Sequence, residues 1–162
     1  MEVSAGLDLP HGPDVVFPWV ADLGRYPSWL EIVRRAEPEP DGDEGEGPAW
    51  KVELRARLGP MARSKRLRMV RAAMEPDRSA RFERAELDGR EHSDWVLAVA
   101  LDPAAGGCHL RMTLTYAGSA LAPLVQRILA DEIDRSGRRL LGCLDAEAGE
   151  AGEGGGSGAG RP

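Results

Sequence analysis

Residues 17–30 read FPWVADLGRYPSWL and hold Phe17, Trp19, Tyr26 and Trp29. That is half of the aromatic side chains in a 162-residue chain with four Trp, two Tyr and two Phe. Around this stretch Val15, Val16, Trp19, Val20 and Leu23 recur at helical spacing after a Gly-Pro-Asp start signal. A short amphipathic helix is therefore expected, with Trp19 on its buried stripe and Phe17 beside it. Pro18 takes one backbone donor out of that helix, and Gly24 is expected to end it. RYPSWLEIVRR then restarts as a second short helix or turn leading to a small strand near 33–39. Tyr26 and Trp29 flank the break.

On the N-terminal side, Val3, Ala5, Leu7 and Leu9 alternate with Glu2, Ser4, Gly6 and Asp8, the period of a half-buried strand that Pro10 stops. On the other side, EPEPDGDEGEGP at 37–48 has the composition of an acidic connection. Five alternating segments follow: WKVELRARLGP, ARSKRLRMVRAAMEPD, RSARFERAELDG, SDWVLAVALDP and GGCHLRMTLTYAG. GP, EPD and DPAAGG turns between them suit antiparallel hairpins. An even GP loop pairs Trp50 with Met69, Val52 with Leu67, Leu54 with Lys65, Ala56 with Arg63 and, on the other face, Glu53 with Arg66. An even PD loop pairs Met69 with Arg84, Leu67 with Glu86 and Arg71 with Phe82, which turns Arg63, Lys65, Arg71, Arg84 and Glu86 toward the concave side. A slip of one residue in either turn would reverse those faces.

From Ala120 the period is helical again, with Leu121, Leu124, Val125, Ile128, Leu129, Ile133, Ser136, Leu140 and Leu144 on one stripe. Gly137 interrupts it at a cost of about 1 kcal/mol relative to alanine, so close approach of the sheet or cavity space is expected there. Residues 146–162 contain seven glycines and no large apolar side chain, and are expected to form a disordered tail behind a single domain at 1–145. Strands grouped between terminal helices argue for an α+β fold: about seven antiparallel strands curved around the long C-terminal helix, with two short helices after the first strand.

Composition narrows the function. The net charge is −6, which argues against nucleic acid as a general partner. No apolar run approaches the length of a membrane span, and the N-terminus lacks the pattern of a signal peptide, so a cytoplasmic location without stable membrane insertion is expected. Cys108 and Cys143 form no C-x-x-C pair and read as two buried thiols. His11, His92 and His109 show no metal-site spacing. Neither a metal nor a cofactor is expected, and no catalytic residue is assigned.

The order of elements, with VADLGRYPSWLEIV, ELRARLGPMARSKRLRMV and LVQRILADEIDRSGRRLLG, resembles the SRPBCC superfamily over residues 2 to about 145. That group includes START-like lipid-binding domains, birch-pollen-allergen-like proteins and bacterial polyketide cyclase/dehydrase-like proteins. Asp22, Tyr26, Pro27 and Trp29 carry the most specific element of the likeness. The resemblance implies a helix-grip fold with a cavity for hydrophobic or aromatic molecules, and says little about reaction type. On that basis Trp29, Trp50, Met69, Trp95, Met112 and Tyr116 are expected as apolar lining, Tyr26 as a ring beside the cavity mouth, and Arg84 as the polar anchor. Tyr26 and Trp29 read first as core aromatics plugging the helix–sheet junction, and the charged strand residues first as solvated ion pairs. Three functions stay open: binding of a small hydrophobic or aromatic molecule, a polyketide cyclase or dehydratase using His92, Asp94, Glu86 or Tyr116 as acid or base, and a protein-interaction module. The oligomeric state is left open.

Overall fold

The computed structural model describes residues 1–40, 45–117 and 122–153. Its elements are β1 (Glu2–Leu9), α1 (Pro13–Val20), a 3-10 helix (Leu23–Ser28), β2 (Val33–Pro38), β3 (Ala49–Leu58), β4 (Met61–Glu75), β5 (Ser79–Arg84), β6 (Trp95–Ala104), β7 (Gly107–Tyr116) and α2 (Ala122–Glu153). Seven antiparallel strands in the order β1-β7-β6-β5-β4-β3-β2 form one sheet, curved around α2 as the helix-grip expectation requires.

Pro13 occupies the first turn of α1, where a missing N–H costs nothing. The helix stops at Val20, with the Ala21 N–H donating to Phe17 O at 2.9 Å. Gly24 therefore does not end it. Gly24 instead lies inside the 3-10 helix, its N–H donating to Asp22 Oδ1 at 2.8 Å. The faces of α1 also differ from expectation: Val16, Phe17 and Val20 are buried, while Trp19 is half-exposed on the flank. Trp19 Nε1 donates to Glu147 Oε2 at 2.6 Å, and the Arg25 guanidinium lies 4.8 Å from the ring centroid.

The β3–β4 register has all the expected pairs, Trp50–Met69 through Leu58–Met61. In the next hairpin the expected pairs Met69–Arg84 and Arg71–Phe82 are present, but the turn is different. Glu75 pairs with Ser79, leaving Pro76–Arg78 as a three-residue loop, and Asp77 has φ 60°. A bulge between Arg71 and Ala73 absorbs the extra residue. Two departures cancel, so Phe82 and Arg84 face as expected. The expected Leu67–Glu86 pair does not form, because β5 ends at Arg84 and Glu86 Oε1 instead accepts from the Arg68 N–H beside the convex groove.

The concave face buries Cys108, Leu110, Met112, Val99, Leu101, Ala80, Phe82, Met69, Trp50 and Val52 against α1, the 3-10 helix and α2. Each such large side chain removed from water contributes roughly 1.5–3 kcal/mol. Burial pushes the Cys108 thiol pKa up, whereas Cys143 is only half-buried.

α2 lies against β1 and the 3-10 helix. At Gly137 a Cβ would come within 2.6 Å of Leu7 Cδ2, so the missing side chain permits this approach. Ser136, Leu140 and Leu144 are fully buried; Ile128, Leu129 and Ile133 are half-buried. Leu121 and the side chains of Leu124 and Val125 lie outside the described residues. The helix continues through Glu153, so residues 146–153, expected in the tail, are helical. Alanine and glutamate there favour helix, and His11–Asp145 (2.8 Å) joins Trp19–Glu147 in holding this end. Residues 154–162 lie outside the described residues.

Candidate functional site

Register places five of the eight candidate residues in one row. Trp50 pairs with Met69, Met69 with Arg84 and Trp95 with Tyr116. Glu83 pairs with Val96, which brings Arg84 alongside Trp95. All point to the concave side, and Met112 lies on the same side of β7, opposite Val99.

The row changes character along its length. Near α1, Trp50 meets Phe82 edge-on at 5.8 Å, and Phe82 meets Tyr26 at 6.5 Å. Tyr26 in turn lies 4.8 Å from Trp29. These four rings are buried, with Trp29 and Phe82 at 0% exposure. Tyr26 donates its hydroxyl to Val20 O at 2.8 Å. Burial first, and the Asp22 charge second, push its phenol far above the ordinary value. Trp29 Nε1 has no partner and is the only fully buried side-chain nitrogen or oxygen in that condition among the described residues. Tyr26 and Trp29 thus form part of the closed aromatic core.

At the other end Trp95 stacks on Tyr116 at 5.4 Å, with Lys65 Nζ 5.2 Å from the Trp95 centroid. Ala5, Leu54, Trp95, Leu97 and Leu114 of the concave face are only half-buried here. Arg84 donates from Nε to Glu86 Oε1 at 2.8 Å, while its Nη contacts to Ser93 and His92 are longer, 3.3–3.4 Å. Arginine has no acceptor, so His92 Nδ1 accepts and Nε2 carries the proton given to Asp88 at 2.8 Å. The Asp88 carboxyl is held below its usual range, first by the Arg90 N–H and then by His92. Arg63 and Lys65 reach the concave side but are exposed where the β3–β4 hairpin overhangs.

A groove of about 570 Å³ lies on the opposite, convex face, lined chiefly by charged residues of β2, β3 and β4. At its floor Arg68, 6% exposed, donates to Glu39 at 2.6 Å, to both oxygens of Glu46 at 3.0 and 2.9 Å, and to Ala85 O. Sequence reasoning missed this cluster, because Arg68 and Glu46 are 22 residues apart across an acidic connection. Among the described residues no group of three His, Cys, Asp or Glu is placed to hold a metal ion, and no helix is long and apolar enough to cross a membrane.

The sequence profile described as "Polyketide cyclase / dehydrase and lipid transport" matches residues 2–141. No curated protein matches the chain. Among solved structures it is similar to TTHA0849 from Thermus thermophilus, at 19% identity and a TM-score of 0.67, over 91% of this chain and 99% of that one. It is also similar to Ara h 8.0201 (14%, TM-score 0.61, 90% and 98%). A third similar structure is the di-domain ARO/CYC StfQ from the steffimycin biosynthetic pathway (16%, TM-score 0.62), where the match covers 91% of this chain and 51% of that one. At these identities the likeness extends to the fold.

Proposed function

The chain belongs to the polyketide cyclase / dehydrase and lipid transport family, and from that premise we propose that it binds a small hydrophobic or aromatic molecule between the concave sheet and α2. The observation that carries this reading is the half-buried state of Leu54, Trp95, Leu97 and Leu114 at one end of a face whose other part, with Trp50, Phe82, Val99 and Leu110, is buried. Apolar surface left wet on the inside of a grip is stabilised by an apolar occupant. In this reading Trp50, Met69, Trp95, Met112 and Tyr116 line the site. Trp29 closes its inner end, with Tyr26 behind it. Arg84 anchors a polar group through its Nη donors, whose present contacts are long, while Glu86 holds Nε.

Native mass spectrometry of the protein purified from its own host tests this. An apolar molecule of defined mass is expected to co-purify. No bound mass, together with no displacement of an apolar dye by a broad lipid and aromatic panel, contradicts the reading.

One observation favours a second reading, cyclase or dehydratase chemistry: the Asp88–His92–Arg84 array beside Trp95. An imidazole held at Nε2 by a carboxylate is a suitable general base through Nδ1 once Arg84 turns its Nη from that nitrogen to the ligand. Under this reading His92→Ala abolishes turnover of a bound polyketide while leaving its affinity intact; equal turnover by the variant excludes it.

A further inference from the structure

The buried face of α2 carries a carboxyl group that the apolar reading leaves without a role. Glu132 is 7% exposed and Ser136 0%, on the same side of the helix as Leu140 and Leu144, both packed in the core. Its one hydrogen bond among the described residues is a long one, from Ser136 Oγ at 3.3 Å. No Lys, Arg or His pairs with it there. A carboxyl group accepts up to four hydrogen bonds, and burying one with so little compensation is costly.

Position along the helix places this group over the interior. The C-terminal part of α2 is held at α1 through Asp145 and His11, and Gly137 rests on Leu7. Five residues further toward the start of α2, roughly 7 Å along its axis, Glu132 has moved toward the end of the sheet where Leu97 and Leu114 are half-buried. The neighbouring cross-strand row contains small side chains: Ala5 beside Met112, then Val99 and Ala80. Independently, Trp29 Nε1 is a fully buried donor without an acceptor. The buried region thus holds one donor without an acceptor and, at Glu132, a carboxylate whose single hydrogen bond is long, an arrangement with acceptor capacity left for a partner not drawn from the chain.

We infer that the ligand is an apolar molecule carrying a hydrogen-bond donor, a hydroxyl or an amine, which Glu132 receives with Ser136 beside it. This rests on the reading of the interior as a ligand site. It excludes simple fatty carboxylates as preferred ligands, since a second carboxylate beside Glu132 is repelled.

Decan-1-ol, decylamine and decanoate, below their aggregation limits, share a chain and differ in headgroup. Calorimetric titration of the full chain is expected to give decanol or decylamine an affinity at least about tenfold above that of decanoate, a difference of about 1.4 kcal/mol. The alcohol and amine arms distinguish the two donor types. Glu132→Gln is expected to narrow the gap to decanoate below about threefold, whereas Asp134→Asn, the same charge loss at an exposed position of α2, leaves it unchanged. An equal headgroup ranking in wild type and Glu132→Gln, or an equal change in Asp134→Asn, overturns the inference while binding itself stands. Binding of none of the three overturns it together with the apolar-site reading.

Discussion

Gly137 of α2 lies so close to Leu7 of β1 that a Cβ on it would come within 2.6 Å of Leu7 Cδ2. The approach sets where the helix rests on the sheet, and so where the interior begins. Gly137→Ala gains about 1 kcal/mol in helix propensity against an overpacking cost of about 1–3 kcal/mol. A net destabilisation of about 1 kcal/mol is expected by urea unfolding. In a Leu7→Ala background the same substitution should become neutral or stabilising; additive effects in the double-mutant cycle would contradict the contact.

Acid should act on the convex face. The hydrogen bond from Arg68 holds the Glu46 carboxyl below its ordinary range. A carboxyl depressed in the folded state contributes stability above its unfolded value, about 4.3, and loses it as pH falls through the folded value. Arg68→Met is therefore expected to flatten the decline of stability below about pH 4.5 while leaving interior ligand affinity within about twofold. Parallel acid-unfolding curves for the two proteins would refute the assignment.

Alkali should act through Tyr26, whose phenol burial raises far above the ordinary value. A phenol raised in the folded state keeps its full contribution below the unfolded value, about 10, and stability falls as pH rises beyond that point. Tyr26→Phe costs about 1 kcal/mol at neutral pH by leaving Val20 O unpaired. It is expected to flatten the loss above pH about 10, read by denaturant midpoints from pH 8 to 11.

Much of this architecture was readable from period and turn chemistry. Strict alternation identified the strands, and the two-residue Gly59-Pro60 loop set the β3–β4 pairing residue by residue. The concave positions of Trp50 and Met69 followed from that pairing and that of Arg84 from the next turn, whereas Trp95 and Tyr116 were expected only from the family resemblance. Other features depend on contacts no local pattern encodes. Trp19 reads as core by spacing, yet its flank meets Glu147, 128 residues away. Residues 146–153 read as tail by composition, yet the helix carries through them because their predecessors are docked. The bulge between Arg71 and Ala73 was invisible, and only its cancellation by the longer turn left the expected faces of Phe82 and Arg84 intact. Glu132 drew no notice because a charged residue on an otherwise apolar stripe reads as its edge.

Truncation separates the docked from the undocked part of α2. Removing residues 148–162 retains both Asp145 and Glu147 and should change stability by less than about 1 kcal/mol. Removing residues 144–162 also deletes Leu144, which is fully buried, and should cost about 2–5 kcal/mol. Equal thermal midpoints for the two truncations would show that the C-terminal docking is absent.

The central claim, an apolar site inside the grip, is tested most directly by methyl NMR of methionine-labelled protein titrated with naphthalene and with decan-1-ol. Met69 and Met112 are buried on the concave face, whereas Met61 and Met74 are exposed. The account predicts saturable shifts at Met69 and Met112 with Met61 and Met74 unmoved. Saturable binding that moves only the exposed methionines, or no saturable shift with either compound, would contradict it.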